Sequence, residues 1–110
     1  MPTPLSEVEV LSLAALAHLG PEAYGVSIRE EIERRTGRAL SVGSLYKAIH
    51  RLEKRGLVST HVGKPTAVRG GRAKKHIRLE PAGHAALSAS IQSMNSMVEG
   101  LALDDAAGPA

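Results

Sequence analysis

Residues 41–58 read Ser-Val-Gly-Ser-Leu-Tyr-Lys-Ala-Ile-His-Arg-Leu-Glu-Lys-Arg-Gly-Leu-Val, from Ser41 to Val58. Local chemistry reads this stretch in order. Ser41 is a helix N-cap, because its hydroxyl can accept from an amide of the first turn. Leu45, Ile49 and Leu52 recur at intervals of four and three, which lines one face of an α-helix. Gly56 stops that helix after Arg55. Leu57–Val62 then carries the apolar and β-branched residues of a strand. With Leu45, Ile49 and Leu52 drawn into a core, Ser44, Tyr46, Lys47, His50, Arg51 and Lys54 are left on other faces.

Downstream, residues 75–79 alternate His76 and Arg78 against Ile77 and Leu79, the pattern of a second half-buried strand. The twelve residues between the strands, Gly63 to Lys74, are polar, basic and Gly/Pro-bearing, which suits a long hairpin tip. Upstream, residues 25–35 form a helix that offers Val26, Ile28 and Ile32 to the core and closes at Gly37. Its Glu30, Glu31, Glu33, Arg34 and Arg35 read as a solvated face with local ion pairs. Tyr24 opens that helix as a packing residue. Before it, Ser6-Glu-Val-Glu9 is a capping box that starts a helix running to Leu19, where Gly20-Pro21 ends it. This first helix is apolar nearly all round (Val8, Val10, Leu11, Leu13, Leu16, Leu19), so it must be covered on two sides. In so small a domain, the second cover is expected from another subunit.

The chain is thus expected to be mainly α with a small β-hairpin: a winged helix-turn-helix over residues 1–80. Pro81 suits the first turn of a last helix over 81–103, with a short acidic tail at 104–110. Leu87, Ile91, Met94, Val98 and Leu101 are spaced four, three, four, three, an a/d seam of about two heptads. With Val8 and Leu11 of the first helix they make the expected dimer interface, and Met94 and Met97 read as filler in that seam.

Charge sorts along the chain in the same way. Between Arg38 and Arg78 stand eleven Lys or Arg and one acidic residue, Glu53. That block carries +10, against −3 for residues 1–37 and −4 for 79–110, within a net of +3. A solvated face is the commoner fate of a charge run, but the near-absence of acidic partners over forty residues argues for a polyanion surface. The expected DNA contacts are Ser41, Gly43, Ser44, Tyr46, Lys47 and Arg51 on the third helix. To these are added Lys64, Arg69, Gly70, Gly71, Arg72, Lys74 and Lys75 of the wing. Amides, hydroxyls and the positive dipole end meet at the third helix's start, and Gly43 lets the backbone approach closely. Gly70-Gly71 lets the tip follow a groove. Arg51 and Lys54 have a second reading, as partners of Glu53 or Glu30.

Other classes fit less well. With no Cys there is no disulfide framework, thiolate metal site or Cys nucleophile. The five His (18, 50, 61, 76 and 84) include no i, i+4 pair. His61 and His76 can face each other across the hairpin, but two ligands do not make a metal site, and none is expected. The two Asp lie in the tail, and no nucleophile elbow or phosphate-loop spacing is present, so no enzyme and no cofactor are expected. The run 8–19 is too short to span a bilayer, and the N-terminus lacks a signal-peptide pattern, so a cytoplasmic protein without a membrane partner is expected. Two alternatives remain: a winged-helix module that puts its basic face on an acidic protein, and a sequence-blind nucleoid or RNA binder. The second is disfavoured by the shortage of aromatics for stacking bases.

Residues 41–58 also resemble the recognition helix and first wing strand of the PadR-like transcriptional regulators. Residues 23–32 (Ala-Tyr-Gly-Val-Ser-Ile-Arg-Glu-Glu-Ile) are similar to that family's second helix. Residues 70–79 (Gly-Gly-Arg-Ala-Lys-Lys-His-Ile-Arg-Leu) and 81–87 (Pro-Ala-Gly-His-Ala-Ala-Leu) resemble its wing and the start of its last helix. The resemblance covers roughly residues 5–87. It implies a homodimeric repressor of double-stranded DNA, with each last helix packed on the partner's first and a pseudo-palindromic operator. It also implies contacts to DNA from Ser41, Gly43, Ser44, Tyr46 and Lys47 and from the wing around Arg69–Arg72. Two features depart from the pattern. Lys75-His76 stands where the family often has tyrosine. The absence of Trp and Phe removes the stacking platform by which some relatives hold flat drugs. The resemblance allows phenolic acids, drugs or no small-molecule inducer at all.

Overall fold

The computed structural model describes residues 3–62 and 75–102. The element order is α1 (Glu7–Leu19), α2 (Gly25–Thr36), α3 (Val42–Lys54), β1 (Val58–Val62), β2 (Lys75–Leu79) and α4 (Pro81–Val98). Local hydrogen bonds mark the starts of α1 and α2, whereas α4 starts at Pro81 without a side-chain cap. The Ser6 amide donates to Glu9 Oε1 at 2.7 Å, and the Glu9 amide donates to Ser6 Oγ at 3.2 Å, closing the expected box. At α2, Ser27 Oγ takes the Tyr24 amide at 3.0 Å and gives its proton to the Tyr24 carbonyl at 2.9 Å. α2 ends at Gly37, whose φ of +77° is left-handed and favours glycine. Arg29 Nε donates to the Leu40 carbonyl at 3.0 Å and so pins the turn into α3.

The core lies where α1, α2 and α3 meet. Leu13, Leu16, Ile28, Leu45, Leu52 and Ile77 are its fully buried side chains. β1 and β2 pair antiparallel with Val58 opposite Leu79, Thr60 opposite Ile77 and His61 opposite His76. The hairpin is tied on three sides. The Ile77 amide donates to the Ala23 carbonyl at 2.8 Å, joining β2 to the α1–α2 loop. Thr60 Oγ1 donates to Glu53 of α3, and Ser59 Oγ to Glu80 at the head of α4, each at 2.6 Å.

Several expectations change. Val26 is half exposed: it lies two residues before Ile28, about 200° round the helix from the buried Ile28/Ile32 pair. Glu31, expected on the solvated face, is buried. Its carboxylate is held down at about 2 from the usual 4.5 by hydrogen bonds first from Arg35 and then from Arg34. The second cover of α1 is partly internal, because the first half of α4 and β2 pack on it beside α2 and α3. Leu87 therefore belongs to the subunit's own core, at 7% exposure, rather than to a seam between subunits. Val8 and Leu11 are partly buried against that core. The helix proper stops at Val98, so Leu101 lies past its end and short of the expected limit at residue 103.

Gly83 fixes how α4 leaves the sheet. A Cβ there would lie 2.1 Å from the Leu57 carbonyl oxygen and 2.9 Å from Leu79 Cδ1. In an open helix, Gly→Ala gains about 1 kcal/mol of propensity. Here the obstacle is backbone, and overpacking costs about 1–3 kcal/mol. Gly83→Ala should therefore destabilise the domain in urea unfolding, and a midpoint at or above wild type would contradict this docking of α4.

A second outcome follows from Glu31. A carboxyl lowered in the folded state adds stability above its unfolded value near 4.5, and that stability drains away as pH falls towards 2. Glu31→Gln should flatten the acid-side loss of urea stability in that window. Parallel profiles for variant and wild type would show that the pairing contributes nothing.

Candidate nucleic-acid interface

The rotation of α3 about its axis is set by the burial of Leu45, Ala48, Ile49 and Leu52. What remains faces outward: Val42, Gly43, Ser44, Tyr46, Lys47 and His50 are all exposed. At the N-terminus Ser41 Oγ accepts from the Ser44 amide at 3.0 Å and donates to Ser44 Oγ at 2.9 Å. Ser44 therefore presents its own proton outward, beside free first-turn amides at the positive end of the helix. Nothing lies within 4 Å of a Cβ built on Gly43, so the approach there is open.

Tyr46 is 42% exposed, and its hydroxyl rests on the first turn of α2. A Cβ at Gly25 would come within 2.1 Å of that oxygen. Gly25 thus makes the seat in which the phenol bridges α2 and α3. Val42 was not among the expected contacts, yet it is half exposed at the head of the helix. The signal for it was the i, i+4 line through Val42, Tyr46 and His50, which the buried stripe leaves uncovered. A methyl-bearing side chain at such a place suits a thymine methyl.

The cations divide. Lys47, Lys54, Lys75 and Arg78 are exposed and carry no ion pair among the described residues. Three others turn towards the N-terminal segment. Arg38 pairs with Glu7, Arg51 Nε lies 3.5 Å from Glu9 Oε2, and Arg55 Nη2 donates to the Thr3 carbonyl at 2.8 Å. Arg51 thus sits on α3 as expected, but it pairs with neither Glu53, which is taken by Thr60, nor Glu30. Lys64, Arg69, Gly70, Gly71, Arg72 and Lys74 lie outside the described residues.

His61 and His76 do face each other, with ring centroids 6.0 Å apart. Among the described residues no group of three or more His, Cys, Asp or Glu is placed to hold a metal. His76 instead packs edge-on against Tyr24, 6.4 Å between centroids, with Nδ1 3.1 Å from the Glu22 carbonyl. No helix is long and apolar enough to cross a membrane, among the described residues.

The second half of α4 is exposed and apolar: Ile91, Met94, Met97, Val98 and, beyond the helix, Leu101. Between it and the N-terminal arm lies a groove of about 710 Å³ that includes Pro4, Leu5, Val10, Ile91, Met94 and Met97.

Two helices at a short turn, the second of them outward-facing, followed by a two-stranded hairpin, define a winged helix-turn-helix protein. The model of the PadR-like family of transcriptional regulators matches residues 13–89, and the chain belongs to that family. It is 34% identical over 76 residues to the transcriptional regulator Rv3488 of Mycobacterium tuberculosis (strain ATCC 25618 / H37Rv). That match spans 69% of this chain and 66% of the relative. Among solved structures, a PadR family regulator from Clostridium difficile R20291 aligns with a TM-score of 0.72 at 22% identity, over 84% of this chain and 91% of that one. BpsR of Bordetella bronchiseptica, described with the regulation of its DNA binding by 6-hydroxynicotinic acid, aligns at 0.64 and 23% identity, over 94% and 73%. At these identities the structural likenesses speak for the fold.

Ser41 joins the cap to the exposed head of α3. Replacing it with Ala removes the acceptor for the Ser44 amide and should cost about 1 kcal/mol. Urea unfolding of Ser41→Ala measures this, and no loss of stability would mean that the cap is not formed.

Proposed function

We propose that the protein is a sequence-specific transcriptional repressor that binds a pseudo-palindromic duplex operator as a homodimer. The observation that carries the reading is the outward face of α3. Its burial pattern leaves Val42, Ser44, Lys47 and His50 exposed and Tyr46 exposed along the part that does not rest on α2, on a helix that a hairpin flanks. A helix of this kind fits the major groove, where hydroxyl, ammonium and methyl groups meet base edges and phosphates. Lys75 adds an exposed cation at the wing end of β2, next to the wing whose Lys64, Arg69, Arg72 and Lys74 would track the backbone. The DNA binding described for BpsR supports the same role by analogy.

Dimerisation is supported by α4. Ile91, Met94, Met97, Val98 and Leu101 are between 42% and 74% exposed. Burying such a side chain completely stabilises by about 1.5–3 kcal/mol. Covering the half of each that remains exposed, on both subunits, is a sizeable drive to association. A second copy would also close the groove beside the N-terminal arm. A two-fold pair places two α3 helices on successive major grooves.

A selection on random duplex DNA tests the reading. It should return two-fold-related half-sites about one helical turn apart. On the selected operator, Ser44→Ala or Lys47→Ala should alter base preference. Lys75→Ala should weaken all duplexes alike and flatten the log–log salt slope by roughly one. Weak binding without sequence preference would sink the repressor reading in favour of an acidic protein partner, and half-sites without two-fold symmetry would sink the dimer.

A further inference from the structure

The carboxylate of Glu9 holds two positions at once. It is 5% exposed, and its two oxygens are divided: Oε1 accepts from the Ser6 amide at 2.7 Å, while Oε2 faces Arg51 Nε at 3.5 Å. A capping box needs only an acceptor, and glutamine closes it as well as glutamate. What glutamate alone supplies is charge, and the cation it pairs with among the described residues is Arg51, on the helix assigned to DNA. Arg51 lies one turn after Lys47, on the same edge of α3. Its side chain is 52% exposed, so the guanidinium has room to swing away from α1.

We infer that Glu9 is a positioning residue that sequesters Arg51, holding one guanidinium of the reading helix back from the phosphate backbone and so restraining affinity for duplexes of every sequence. The inference rests on the DNA-binding reading above and gives it a regulator of strength. Phosphate contacts supply nearly all sequence-blind affinity, each adding about 0.9 to the salt slope. A cation that reaches any phosphate strengthens every duplex alike, so what the Glu9–Arg51 pair governs is the overall strength and salt dependence of binding rather than the ratio of specific to sequence-blind affinity. Arg38 on Glu7 and Arg55 on the Thr3 carbonyl are withdrawn towards the same N-terminal segment. Of the seven described cations between Arg38 and Arg78, three are therefore spent within the protein. Arg51 is the one whose release depends on a single buried carboxylate.

The test is a salt titration of binding to a random-sequence duplex and to the selected operator. It compares wild type with Glu9→Gln, Arg51→Gln and the double variant, each checked for folding by circular dichroism. Arg51→Gln should keep the wild-type slope, because Arg51 touches no phosphate. Glu9→Gln keeps the cap but frees the cation. Its slope should steepen by about 0.9, so that its advantage on random duplex grows roughly 3.5-fold for a fourfold drop in salt. The double variant should return to the wild-type slope, a reversal that loss of packing at Glu9 would not produce. A slope flattened by about 0.9 in Arg51→Gln, or unchanged in a folded Glu9→Gln, overturns the inference. Should Glu9→Gln fail to fold, Arg51→Gln decides alone. A wild type without salt-dependent duplex binding overturns the DNA reading instead.

Discussion

Leu45, Ala48, Ile49 and Leu52 of α3 are buried to 3% exposure or less, and this contact with α1 and α2 fixes the rotation of the helix about its own axis. A turn of one residue would move every side chain by about 100°. It would carry Tyr46 or Lys47 into the core and Leu45 into water, at a cost no small domain can absorb. The outward face of α3 is therefore a by-product of packing. Its chemistry was free to vary only because its direction was not. The neighbouring elements then take their bearings from α3. Glu53 on it receives Thr60 of β1, and Gly25 makes room for Tyr46 to lie across α2.

The same geometry sorts the charges. A run of eleven cations in sequence suggests a uniform basic surface. In space its seven described members fall into two sets. Arg38, Arg51 and Arg55 fall where α3 and the turn before it meet the N-terminal segment, and there they find Glu7, Glu9 and a backbone carbonyl. Lys47, Lys54, Lys75 and Arg78 fall on the faces that packing leaves open. The acidic excess of residues 1–37 is thus partly a set of local partners for cations that would otherwise add to an unselective field.

Much of this could be read from the chain alone, and the misses have physical causes. The boundaries of α1, α2, α3 and both strands follow from local signals: the Ser6–Glu9 box, Gly37, Ser41, Gly56 and the alternation at 75–79. Such signals act over three or four residues, so sequence carries them whole. The pairing of Arg51 with Glu9 spans forty-two positions and depends on how α1 crosses α3, which no local pattern encodes. Glu31 was misplaced for a related reason. A carboxylate amid Arg and Glu looks solvated until the two guanidinium groups close over it. Leu87 satisfied the a/d spacing, but spacing cannot say whether a stripe faces its own domain or a partner. The answer came from Gly83, which brings the first turns of α4 down onto the Leu57 carbonyl and takes Leu87 with them.

That docking gives α4 two unlike halves. Up to Leu87 it is part of the core that seats α3, through its contact with α1. From Ile91 onward it is exposed among the described residues, and Ile91, Met94 and Met97 line the groove beside the N-terminal arm. The arm is also where Arg55 is held, at Thr3, and it leads directly into the turn that carries Glu9. One short segment, residues 3–9, therefore touches the surface proposed for a second subunit on one side and the flank of the reading helix on the other. The surfaces proposed for association and for DNA are adjacent in this fold because the segment that caps α1 lies between them.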